Sequence, residues 1–129
     1  MKLHLDSTGS MNTVTGYGAN YVEVNRQRYD YSILIFPHQP VVPWPVFSFD
    51  TLMPENFDML VAFAGESKIE VVIFGTGARQ RFAHPRITNV LTRQCIGIET
   101  MSFQAACRTY NILMSERRKV VLAILIEKI

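Results

Sequence analysis

Residues 71–82 read VVIFGTGARQRF, an apolar run ending in Gly75-Thr76-Gly77 with Arg79, Arg81 and Arg86 soon after. Bare glycine amides beside guanidinium groups are the materials of a carboxylate or phosphate site. In an open parallel sheet, ligands settle beyond the carboxyl ends of the strands. Glu99–Met101 is expected to be a second such strand end. The candidates for an anion-binding cleft are therefore Gly75, Thr76, Gly77, Arg79, Glu99 and Arg108. Backbone amides and one arginine would hold the anion, and Glu99 would serve as a base.

The same stretch departs from the known nucleotide motifs. A dinucleotide turn needs G-x-G-x-x-G opening a helix directly, but the third glycine position is Gln80. Pro85 also disfavours helical geometry at His84, so the next helix starts late. No Gly-Lys-Ser/Thr follows, which excludes a P-loop. The plainer role for the two glycines is to let a central strand turn sharply.

Other chemistry finds little support. His4, His38 and His84 share no ligand spacing with each other or with Cys95 and Cys107, so no metal site is expected. There is no G-x-S-x-G elbow for an activated serine. No motif calls for a cofactor. Cys107 falls inside a helical pattern, away from the first turn that would activate a thiol. Both cysteines are expected to be reduced, buried and functionally silent.

The elements that must position these residues follow from periodicity. Residues 21–36 (YVEVNRQRYDYSILIF) alternate on either side of Asn25-Arg26-Gln27 and predict a hairpin. Four prolines in FPHQPVVPWPVF (36–47) forbid a helix and disfavour a central strand. That stretch is either a polyproline ligand for a partner or, more simply, a stiff connection packing Trp44 and Val46 onto the body. Pro54 and Gly65 bracket a helix whose apolar face is Phe57, Leu60, Val61 and Ala64. The second half then alternates: strand 69–74, helix from Pro85, strand 96–99, helix 102–116 with Ser102 as cap, and strand 119–126. Strand–helix alternation of this kind predicts an α/β domain with a largely parallel sheet covered on its faces. On the last helix, Gln104, Arg108, Asn111, Ser115 and Arg118 form a polar stripe, read as a solvated face or a recognition face.

The chain has 129 residues, 48% hydrophobic and 19% charged, which suits one globular domain over residues 1–129. A net charge of +2 is too small to imply nucleic acid. The amino-terminal residues lack the apolar core of a signal peptide, and VVLAILI (120–126) is too short to span a bilayer. The expectation is a cytoplasmic protein without membrane insertion.

Several segments together resemble a known family. They are GYGANYVEVN with RYDYS (16–32), Trp44, FGTGARQRF with HP (74–85), GIETM (97–101) and AACRTYNILMSERRKVVLAILI (105–126). They are similar to the small-domain family that includes a mitochondrial complex I assembly factor and the adipogenesis-associated Mth domain-containing protein. AACRTYNIL is the most specific segment. Two departures stand out: the family usually has Met-Asp-Thr where this chain has Met101-Ser102-Phe103, and Asn-Gly where it has Asn25-Arg26. The resemblance implies a three-layer α/β fold with a central mixed sheet, no established catalytic activity, and action by binding protein partners. The chain is thus expected to be a non-catalytic protein-binding module, with Trp44 and Arg108 as candidate contact residues and self-association as one form of partnership.

Overall fold

Along the central strands, alternate residues face two different cores. The structure, a computed structural model, describes residues 11–128. The start of the chain, with His4, lies outside the described residues.

Three short antiparallel strands, β1 (Val14–Tyr17), β2 (Val22–Val24) and β3 (Gln27–Tyr29), form a small sheet. Five more form the main sheet: β4 (Ile33–Ile35), β5 (Val42–Pro43), β6 (Val71–Gly75), β7 (Gly97–Met101) and β8 (Val120–Ile124). Their order is β5-β4-β8-β6-β7. β6 runs parallel to β7 and β8, whereas β4 is antiparallel to β8 and to β5. The helices are α1 (Pro54–Ala64), α2 (Pro85–Thr92) and α3 (Phe103–Ser115).

The strand pleat sends successive side chains to opposite faces. Ile33, Ile35, Ile73, Leu122 and Ile124 share a core with the small sheet and α3. Leu34, Val72, Phe74, Val121 and Ala123 share the other with α1 and α2. This is the expected three-layer arrangement, with the main sheet in the middle.

Two details differ from expectation. The second arm of the hairpin is Gln27–Tyr29, paired with Val22–Val24. Ile33–Ile35 instead pairs with Leu122–Ile124. The reason is burial on both faces: Ile33, Leu34 and Ile35 are each fully buried, which a sheet covered on one side cannot provide. Val42–Pro43 is a short outer strand on β4, a position that tolerates proline.

Cys95 is the second correction: it is exposed, not buried. Ile96 N donates to Leu91 O and Cys95 N donates to Thr92 O, both at 3.0 Å. That is a Schellman cap on α2, with Cys95 in the left-handed position at φ 61° and Leu91 packed against Ile96. The cap turns Cys95 outward. Cys107 is buried as expected, and burial pushes its thiol up to about 12.

Candidate functional site

Gly75 is the last residue of β6, paired with Met101 on one side and Ile124 on the other. A Cβ there would lie 2.5 Å from Ile124 Cδ1 and 3.0 Å from Ala106 Cβ. Glycine at this position lets α3 close onto the sheet, and Gly75 presents nothing to a ligand. Thr76 is fully buried. Its N–H donates to Met101 O at 2.9 Å, and its Oγ1 donates to Arg79 O at 2.8 Å while accepting from Arg81 N at 3.0 Å. Gly77 adopts φ +105°, a conformation costly for other residues, and its carbonyl accepts the Phe103 N–H at 2.7 Å. That bond replaces the cap expected from Ser102, whose side chain makes no capping bond.

The anion that Arg81 holds is the chain's own. Its Nε and Nη2 donate to Thr76 O at 3.2 and 2.6 Å, and Nη2 meets Glu127 Oε1 at 2.9 Å. Glu127 Oε2 accepts the Phe49 N–H at 2.8 Å, and the Arg81 guanidinium lies 4.6 Å from the Phe49 ring centroid. The Phe49 N–H and then Arg81 hold the Glu127 carboxyl below its ordinary range. This latch joins three segments far apart in the chain. Its only local sequence signal is the presence of the two charges.

Arg79, Glu99 and Arg108 are exposed, and their side chains make no hydrogen bond to other described residues. Glu99 sits within β7, opposite Ile73, and not in the loop after the strand. A cleft of about 630 Å³ does open at this end of the sheet. Gly77, Ser102, Asn20 and Glu127 line it, whereas Gly75, Thr76, Arg79, Glu99 and Arg108 do not. The structure therefore brings one of the six expected cleft residues, Gly77, to a cavity wall.

Trp44 is 2% exposed. Its Nε1 donates to Asn56 O at 2.9 Å, and its ring meets Phe57 and Phe74 edge-on. The packing reading of the proline-rich stretch is the correct one, and as a partner contact Trp44 offers almost no surface. Arg108 stays on the outside of α3, in line with Gln104 and the exposed Ile112. Asn111 leaves the solvated stripe: it binds the backbone of Val14 through both atoms of its amide. Tyr110, in the same AACRTYNIL segment, is buried and donates to Asn12 O at 2.8 Å. The segment thus joins α3 to β6 and to the small sheet. His84 Nδ1 accepts the Arg86 N–H at 3.0 Å, capping α2. Among the described residues, no three His, Cys, Asp or Glu side chains are grouped to hold a metal.

The fold and this arrangement define a three-layer α/β module whose buried polar groups are largely absorbed by its own backbone. The chain belongs to the family described as "Protein of unknown function (DUF498/DUF598)", which matches residues 14–125. It is 30% identical over 105 residues to the Bos taurus protein named NADH dehydrogenase (ubiquinone) 1 alpha subcomplex assembly factor 3, covering 81% of this chain and 55% of that protein. It is 32% identical over 70 residues to the "13 kDa major membrane protein" of Francisella tularensis, covering 54% of each. The chain spans about half the length of the curated relatives it matches. Among solved structures, a Bordetella parapertussis protein is 41% identical with a TM-score of 0.84, covering 92% of this chain and 98% of that one. A Bordetella pertussis protein described as a Mth938-like domain is 36% identical with a TM-score of 0.81, covering 98% and 93%. The family resemblance read from the motifs is correct. Among the described residues, no helix is long and apolar enough to cross a membrane.

Proposed function

We propose that this chain is a non-catalytic protein-binding module that assists the assembly of a respiratory complex, as its relatives named assembly factors suggest. One observation carries the reading. Phe82 and Phe47 are 74% and 62% exposed, and they flank the Arg81–Glu127–Phe49 latch in sequence and through the Lys128 N–H bond to Phe47 O. Exposed aromatic side chains beside an ordered polar cluster are the anchors of protein interfaces. Arg108 and Ile112 on α3 offer a second contact surface. The buried Cys107 is held as a neutral thiol, which disfavours nucleophilic catalysis. The module would act in the cytoplasm, at or near a membrane-bound partner.

Affinity capture from the native cell, followed by mass spectrometry, tests this. Subunits of an NADH dehydrogenase should co-purify and be lost with Phe47→Ser/Phe82→Ser, which alters only exposed side chains. Normal assembly of that enzyme in cells lacking the chain, with no subunit captured, overturns the reading.

The cleft beside Gly77 gives room for a second reading, a small-ligand site, but its lining holds the Glu127 carboxylate and no Lys or Arg, which weighs against the anion expected there. A ligand at about 100 times its Kd would add roughly 2.7 kcal/mol of stability, so a thermal-shift screen of small ligands, anions included, is sufficient. Absence of any shift removes this alternative.

A further inference from the structure

The other end of the sheet carries a cleft of its own. It is about 330 Å³ and lies where β4 ends and β6 and β8 begin. That volume is at the lower end of small-molecule sites and too small for a macromolecular segment of any length. Phe36, Ile69, Met114 and Val120 give it apolar walls. Four cations, Lys68, Arg117, Arg118 and Lys119, line it against one carboxylate, Glu66. The whole chain has a formal net charge of only +2, so this concentration is not the spillover of a generally basic surface.

Glu70, just outside, accepts from Arg118 Nε at 3.1 Å and from Lys119 N at 3.0 Å. Lys68 and Arg117 have no such carboxylate among the described residues. Like charges gathered around a cleft with apolar walls repel one another and focus a positive potential into it. An anion relieves that repulsion.

The walls are fixed before any ligand arrives. Asn12 Nδ2 donates to Phe36 O at 2.7 Å, and Gln39 Nε2 donates to Phe63 O at 3.0 Å. Arg117 is locked at φ 64° in the cap of α3, where Arg117 N donates to Met114 O and Arg118 N to Leu113 O.

We propose that this cleft binds a small amphipathic anion. Its apolar body lies against Phe36, Ile69 and Met114, and its carboxylate or phosphate meets Lys68 and Arg117. The site is separate from the aromatic surface assigned to a protein partner and does not depend on it.

Isothermal titration calorimetry of the full chain with octanoate, octyl phosphate, octanol and inorganic phosphate tests the proposal. Octanoate or octyl phosphate should bind one to one, and whichever is tighter identifies the head group. Octanol and inorganic phosphate should each bind at least about tenfold more weakly, because each lacks half of the recognised chemistry. The Lys68→Gln/Arg117→Gly variant should lose at least about tenfold in affinity for the preferred amphiphile. Glycine suits the φ of position 117, so this variant should unfold no earlier than the parent without ligand, and lost binding would not report a lost fold. Equal binding of octanol, unchanged affinity in the variant, or no binding of either amphiphile overturns the proposal.

Discussion

The Val14 N–H donates to Asn111 Oδ1 at 2.9 Å, and Asn111 Nδ2 donates to the Val14 carbonyl at 2.8 Å. One side-chain amide therefore pairs with the edge of β1 as a neighbouring strand would. It fastens the small sheet to α3 across 97 positions of sequence. Asn111→Ala leaves both backbone groups without this partner and should cost about 2 kcal/mol of stability. Hydrogen exchange checks the location: amides of β1 and β2 should lose protection well before those of β6 and β8.

Cys95 occupies a left-handed cap position that glycine fills at lower cost. Cys95→Gly should raise stability by about 0.5 to 1 kcal/mol in a urea titration. Thiol labelling of the native protein should modify the exposed Cys95 quickly and the buried Cys107 only on unfolding. Equal rates at the two sites would contradict the cap geometry.

Burial raises the Cys107 thiol from an ordinary 9.0 to about 12, and it raises the Tyr110 hydroxyl as well. For a group raised on folding, the associated stability is complete below the ordinary value and is lost as pH rises toward the folded one. Between those values the unfolded chain has released a proton that the folded chain retains. The urea midpoint should therefore fall as pH rises above about 9. Cys107→Ala should show a shallower alkaline decline, whatever its stability at neutral pH.

Trp44 packs against Phe57 and Phe74 and uses its indole N–H internally. Trp44→Ala should cost about 3 to 5 kcal/mol, so a partner lost in that variant would report unfolding. Trp44→Phe keeps most of the packing but removes the indole hydrogen bond to Asn56 O. It should cost about 1 to 3 kcal/mol and leave partner capture unchanged.

The sequence by itself determined the three helices, the three parallel strands and the sharing of strand residues between two faces. These rest on local periodicity, which a strand or helix must show wherever it packs. It also carried the family, through AACRTYNIL and its neighbours. Only the tertiary structure decided which strand each strand adjoins. Periodicity marks Ile33–Ile35 as a strand, read there as a hairpin arm, and does not identify Leu122–Ile124 as its neighbour. Polar residues were harder still to read. Arg81, Thr76 and Asn111 have the types expected of a ligand site or a solvated face. Their partners, Glu127, Met101 and Val14, lie 46, 25 and 97 positions away. A buried polar group must find a hydrogen bond, and only the folded chain determines whether that bond is left for a ligand or taken by the protein's own backbone.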